Sequence, residues 1–282
     1  MATVVGKWNL ESIPPLLQNS VMFSVATALV SLVMIPFWRS GRILTLSRQA
    51  WKWLALFTVS SWCAIWGLWA GVQRMDPSLA AFVNRFEVPV AIALGIIFLK
   101  ERLTKLEVLG MILSFAGIVV MRMTLRIEYT SGFWLVLVGS VFFGLTEFIS
   151  KMAVRYVEPV ILTYIRNIFL AILFWIAFVA SGQSYEGLQK VWPGVVALGI
   201  LGPIISRVSY LSALKRVALT RVAIISQIQP VFVILIALSV LGQIPTFREV
   251  TGGILLIIGC LLMIVSRPNS SRLKRSLGRQ IP

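Results

Sequence analysis

Residues 88–120 read VPVAIALGIIFLKERLTKLEVLGMILSFAGIVV, and residues 229–264 read QPVFVILIALSVLGQIPTFREVTGGILLIIGCLLMI. Each stretch has an apolar helix that begins near a proline, then a short polar turn, then a second apolar helix that carries glycines. Gly117 of the first stretch lies 142 residues before Gly259 of the second. The chain is therefore predicted to contain an internal repeat of hydrophobic helices.

Composition places the chain in a membrane. It is 58% hydrophobic and 13% charged, with a mean hydropathy of +0.91, which is too apolar for a soluble protein of 282 residues. The net charge of +16 comes from short basic patches between apolar runs, the pattern of loops at a membrane surface. We therefore expect a lipid bilayer as partner and no nucleic acid.

Side chains for cofactor or metal chemistry are scarce. The sequence has no histidine, and both cysteines, Cys63 and Cys260, fall inside apolar runs without a metal-ligand spacing. We therefore predict no cofactor and no metal, and we expect the two thiols to be packing residues.

Nine segments approach the length of about 20 apolar residues that crosses a bilayer. An all-α integral membrane protein with nine transmembrane helices is predicted. The segments are residues 14–37, 51–72, 78–99, 105–123, 133–150, 159–181, 192–213, 218–241 and 247–266.

The distribution of basic residues predicts the orientation. The connections on one side, together with the C-terminal tail, carry 17 Lys and Arg, and those on the other side carry six. Because basic loops stay in the cytoplasm, the C-terminus is predicted to be cytoplasmic. Nine crossings then place the N-terminus outside.

The repeat predicts three regions: a four-helix repeat over residues 13–123, a five-helix repeat over residues 131–266 and a basic cytoplasmic tail over residues 267–282. The segment 133–150 has no counterpart in the first repeat. Because five is odd, two complete five-helix repeats are inverted relative to one another in the membrane. A ten-helix ancestor is expected, and a first helix is expected to be missing from this chain.

The two quoted stretches resemble the EamA family of the drug/metabolite transporter superfamily, and the resemblance extends over residues 13–266. It implies inverted repeats of helices, a central substrate cavity between the repeats, and activity as an exporter or exchanger. The sequence Leu99-Lys100-Glu101-Arg102 is similar to the family's acidic turn between its fourth and fifth helices. We interpret Glu101 as a helix-end and loop-ordering group.

Five charged residues fall within the predicted spans. A charge at the centre of a membrane helix costs roughly 2.5–3.5 kcal/mol on insertion scales, so such residues normally face a partner or a wet cavity. They are either functional or paired internally to hold the helices together, and a buried ion pair is weak support for stability alone. The five are Arg85, Glu87, Glu147, Arg166 and Arg207.

The candidate pathway adds the polar neighbours of these charges. Ser226, Gln227 and Gln229 occupy the positions of the second repeat that correspond to Asn84, Arg85 and Glu87 of the first. Glu147, Arg166 and Arg207 all fall toward the cytoplasmic half of their spans, where one cavity could hold them. The predicted pathway residues are Asn84, Arg85, Glu87, Glu147, Tyr164, Arg166, Asn167, Arg207, Tyr210, Gln227 and Gln229.

These patterns favour an exporter of small organic solutes in the cell (inner) membrane, working by alternating access. The surplus of arginine predicts a preference for solutes with a carboxylate or phosphate, and Glu87 or Glu147 would carry any coupled proton.

One alternative is a truncated or mis-started transporter chain without independent activity. An integral-membrane enzyme is disfavoured by the lack of histidine and of a metal cluster in the sequence. A homodimer is possible as the assembly.

Overall fold

The structure is a computed structural model that describes residues 9–39, 46–75, 80, 83–122, 131–228 and 247–265. Regular structure in these residues is helical. The α-helices are α1 (Pro15–Arg39), α2 (Arg48–Arg74), α3 (Glu87–Leu99), α4 (Lys105–Arg122), α5 (Ser131–Ala153), α6 (Pro159–Ser181), α7 (Leu188–Ile200), α8 (Arg207–Arg216), α9 (Leu219–Ile225) and α10 (Phe247–Val265). A π-helix, Leu201–Ser206, joins α7 to α8, and a 3₁₀ turn, Ser226–Ile228, follows α9.

The helices have the length and surface of membrane spans. Five are long and apolar enough to cross a bilayer, namely Pro15–Leu32 of α1, α2, α5, α6 and the continuous Leu188–Arg216. Large apolar side chains are exposed on them and on α3, as at Leu32 (67%) and Ile97 (66%), which suits a surface that faces lipid. The prediction of an all-α integral membrane protein is confirmed. Nine crossings and an inverted repeat stay predictions, since most of segment 218–241 lies outside the described residues.

Helix ends follow local chemistry. The Ser47 hydroxyl caps α2 by accepting a hydrogen bond from the Ala50 amide at 3.2 Å. α6 begins at a proline and ends at Gly182 in the left-handed conformation, φ 62°, the usual asymmetry of helix ends. At α4, the Glu107 carboxylate accepts from the Thr104 amide at 2.7 Å while the Thr104 hydroxyl accepts from the Glu107 amide at 3.2 Å. Thr104 and Glu107 thus form a reciprocal capping box; the helix-end role expected for Glu101 stays a prediction.

The chain divides into two compact units, and the first contains residues 1–99 and 126–222. In this unit α1 packs along α6, and α2 packs along α5. A β-carbon added to Gly67 would lie 3.0 Å from the Cα of Gly139, so the backbones of α2 and α5 touch. Such contacts between small residues are how helices associate in lipid, where no hydrophobic effect drives them together.

The second unit contains residues 100–125 and 223–282. In it α4 packs along α10. A β-carbon on Gly117 would lie 2.5 Å from the Gly252 carbonyl oxygen, and one on Gly259 would lie 2.5 Å from that of Gly110. The glycines that revealed the repeat are therefore close-contact residues of one helix pair.

Candidate functional site

The first candidate residues lie where a predicted helix is interrupted. Residues 83 and 84 are helical, Arg85 and Phe86 form a turn, and α3 begins at Glu87. The amide of Val88 donates to the Arg85 carbonyl, three residues back, at 3.1 Å. Pro89 has no N–H to donate to that carbonyl, so the regular series of helical hydrogen bonds is broken at this point. The segment predicted over residues 78–99 is therefore interrupted at Arg85 and Phe86.

A second irregularity precedes Arg207. The π-helix Leu201–Ser206 contains Pro203, and the Arg207 amide donates to the Gly202 carbonyl, five residues back. The Asn167 Nδ2 donates to the Pro203 carbonyl at 3.3 Å. Short π-helical turns within α-helices are frequent at functional sites. This one sets the position from which Arg207 projects.

Glu147 of α5 and Arg207 of α8 form a close ion pair. The Arg207 Nη1 donates to the Glu147 Oε1 at 2.9 Å, and the two side chains are 14% and 11% exposed. Charge-assisted hydrogen bonds of this length are among the strong ones. The sequence predicted that both residues approach one cavity, and the structure brings them into contact.

Arg166 of α6 lies beside this pair and bonds to uncharged groups. Its Nε donates to the Ser61 hydroxyl at 3.0 Å, and its Nη1 donates to the Asn167 Oδ1 at 3.3 Å. Because Asn167 also binds the carbonyl of Pro203, Arg166 is connected to the π-helix through one side chain.

An aromatic ring joins the two arginines. Phe57 of α2 is fully buried, and the Cζ atoms of Arg166 and Arg207 lie 5.1 Å and 5.0 Å from its ring centroid. Arg207 is also 5.6 Å from the Tyr210 ring, and Arg166 is 5.7 Å from that of Phe23. Cation–π contacts within about 6 Å are favourable, more so when water is excluded. Each guanidinium group thus lies over two aromatic rings.

Arg85 and Glu87 form a looser pair, 3.9 Å apart, at the start of α3. Glu87 also interacts electrostatically with Glu147 and Arg207. This proximity depends on Gly144, since a β-carbon there would lie 2.7 Å from the Glu87 carbonyl oxygen. All five predicted membrane charges therefore belong to one partly buried network, which we call the arginine–glutamate network (Arg85, Glu87, Glu147, Arg166 and Arg207).

The remaining predicted pathway residues differ in placement. Asn167 and Tyr210 contact the network directly, as above. Tyr164 is buried, and its hydroxyl accepts from the Ser31 hydroxyl at 3.2 Å. Asn84 adjoins the helix break, and its Oδ1 is buried without a hydrogen-bond partner among the described residues. The side chain of Gln227 and the whole of Gln229 lie outside the described residues.

The sequence analysis missed Phe57, Ser61 and the π-helix. The adjacent serines Ser60 and Ser61 in an apolar helix were an available signal. Both accept hydrogen bonds from other helices: Ser60 from the Thr146 hydroxyl and Ser61 from the Arg166 Nε, each at 3.0 Å. Pro203 was a signal for the irregular turn. Nothing in the local sequence distinguishes Phe57 from the other phenylalanines.

A family model described as the EamA-like transporter family matches residues 1–123 and 130–265. The chain belongs to this EamA family. The resemblance drawn from the quoted helix pairs is confirmed.

Curated relatives are named as transporters. A protein named "Uncharacterized transporter" in Archaeoglobus fulgidus is 24% identical over 95% of this chain and 95% of its own length. Another, in Synechocystis, is 22% identical over 89% of this chain and 76% of its length. A third, in Acidianus ambivalens, is 31% identical over 43% of this chain and 46% of its length. Family and relatives together make the chain a membrane transporter.

A solved crystal structure has the same fold. It superposes with a TM-score of 0.76 over 94% of this chain and 96% of its own length, at 18% sequence identity. At that identity the likeness concerns the fold alone.

Proposed function

We propose that this EamA-family chain exports small organic solutes across the cell membrane by alternating access, along a pathway that reaches the arginine–glutamate network. The observation that carries the proposal is the Glu147–Arg207 pair beside Arg166, three charges from three helices brought together in apolar surroundings. Charges within membrane-spanning helices are expensive and mark substrate or ion pathways.

The irregular helices beside the network support the same proposal. The turn at Arg85–Phe86 and the π-helix before Arg207 interrupt two spans next to buried charges. Broken helices at a buried polar site are a recurring feature of secondary transporters. The network offers charge and hydrogen bonds, and the sequence contains no histidine for acid–base catalysis, so transport is the function it supports best.

The test is flux through the purified full-length chain in proteoliposomes loaded with a panel of amino acids, nucleosides, sugars and organic acids. We expect protein-dependent efflux of at least one class, and at least a tenfold loss of that efflux in Arg166→Gln. Arg155→Gln is the matched control, because Arg155 is exposed in the turn after α5. Absence of flux for every compound, or unchanged flux in Arg166→Gln, would contradict the proposal.

The orientation is tested separately. We propose a cytoplasmic C-terminus, and the excess of basic residues on that side supports it. A fluorescent protein fused to the C-terminus should fluoresce, and alkaline phosphatase fused there should be inactive. The reverse result would place the tail outside.

A further inference from the structure

One edge of the Arg207 guanidinium group is buried and unused. Nη1 donates to Glu147, whereas Nε and Nη2 are buried and have no hydrogen-bond partner among the described residues. Buried donors on a charged group are costly to leave unpaired. Acceptor oxygens of a ligand would satisfy both donors.

The two unused donors form a matched pair. In a planar guanidinium group the N–H bonds of Nε and Nη2 point in parallel from one edge, and this edge fits the two oxygens of a carboxylate. The rings of Phe57 and Tyr210 lie 5.0 Å and 5.6 Å from the Arg207 Cζ. Glu147 occupies Nη1, so the Nε–Nη2 edge is the part of the group that remains for a ligand.

The charge of the surroundings specifies the ligand further. Arg85 and Glu87 offset one another, and Glu147 offsets one of the two remaining arginines. Arg166 gives its hydrogen bonds to the neutral Ser61 and Asn167. With both carboxylates ionised, the arginine–glutamate network has three positive and two negative charges, and one carboxylate neutralises the surplus whereas a phosphate dianion exceeds it.

We infer that the Nε–Nη2 edge of Arg207 binds the carboxylate of a monocarboxylic solute. The inference rests on the proposed function and names its substrate class. Glu147 holds the guanidinium group in place from the other side and, because it is an anion itself, limits how tightly the solute binds. A solute held too tightly would not be released.

The test measures binding to the purified full-length protein in detergent, by the rise in unfolding temperature with ligand concentration. The probes are propionate and benzoate, their neutral amides propionamide and benzamide, and inorganic phosphate. We expect the carboxylates to stabilise the protein, and the amides and phosphate to do so at least about tenfold more weakly, since a bidentate charged contact is lost.

Two variants have opposite expected effects. Arg207→Lys keeps the charge but loses the planar edge, and we expect carboxylate affinity to fall at least about tenfold. Glu147→Gln keeps an acceptor for Nη1 and removes a repelling charge, so affinity should rise roughly tenfold. Arg216→Lys, an exposed site at the end of α8, is the control and should not change affinity.

Several outcomes would overturn the inference: equal stabilisation by carboxylates and amides in the wild type, unchanged affinity in Arg207→Lys, or weaker binding in Glu147→Gln. If Arg207→Lys does not fold, the wild-type probe series and Glu147→Gln decide the question. Flux of neutral solutes without carboxylate binding would reject the inference and leave the proposed function standing. Carboxylate binding at Arg207 without flux of any solute would reject the proposed function and leave the binding site standing.

Discussion

The Glu147 carboxylate and the Arg207 guanidinium group are 2.9 Å apart and only 11% and 14% exposed. Replacing Glu147 with alanine leaves a buried arginine without its counter-charge. We expect the free energy of unfolding to fall by about 3–5 kcal/mol, as measured by chemical unfolding in detergent micelles. Glu186→Gln, an exposed acid between α6 and α7, is the control and should behave as wild type.

A double variant separates charge from packing. Glu147→Leu with Arg207→Leu removes both charges, and we expect it to be more stable than Glu147→Ala because no unpaired charge remains. If Glu147→Ala were as stable as the wild type, the pair would not contribute in this way.

Asn167 connects Arg166 to the π-helix through two 3.3 Å hydrogen bonds. Asn167→Ala deprives a buried guanidinium donor and a buried carbonyl of this partner, and we expect a loss of about 1–3 kcal/mol. Thr163→Ala is matched to it: Thr163 is also fully buried, one turn earlier on α6, but its hydroxyl bonds to the Pro159 carbonyl of the same helix. Thermal unfolding should show a clearly smaller loss for Thr163→Ala, and equal losses would contradict the role of Asn167.

The contact between α2 and α5 predicts a size limit at Gly71. A β-carbon there would clash with Val136 Cγ2 and would lie 2.8 Å from the Gly132 carbonyl oxygen. Gly71→Ala should therefore destabilise the protein by about 1–3 kcal/mol through overpacking. At Gly202 an added β-carbon meets nothing within 4 Å, so Gly202→Ala should show no such loss in the same unfolding measurement.

The capping box at the start of α4 predicts a smaller effect in the second unit. Thr104→Ala removes the hydroxyl that accepts from the Glu107 amide at 3.2 Å. We expect a loss of about 0.5–2 kcal/mol, the usual value of an N-cap. Thr104→Ser retains the hydroxyl and should keep most of the stability, so an equal loss in both variants would point away from capping.

Apolar length and intramembrane charge could be predicted because both are local properties of the sequence. A run such as Pro159–Ser181 is a membrane helix wherever its neighbours lie, and a charge such as Arg166 needs a partner wherever it is buried. Glu147 and Arg207 were expected near one cavity, and the structure brings them into contact. Their role in transport stays a prediction.

The irregular geometry could not be predicted in the same way, because it results from several segments acting together. Pro89 weakens a helix at Arg85, but the packing of α3 against Gly144 fixes where the new helix lies. Pro203 permits an irregular turn, and the Asn167 side chain from another helix satisfies its carbonyl. The contact of Phe57 with two arginines needs α6 and α8 in place.

The backbone contact between Gly67 and Gly139 has a mechanical consequence. No flexible side chain separates α2 from α5 there, so neither helix can slide or roll without losing close packing on both sides. We expect this pair to move as one stiff body that carries Glu147. The helices that can move are then those next to irregular backbone. They are α3, which follows a turn and carries Glu87, and α8, which follows the π-helix and carries Arg207. Movement of α8 relative to α5 would change the distance between Arg207 and Glu147. Solute binding at Arg207 and movement of the helices would thus be coupled through this distance.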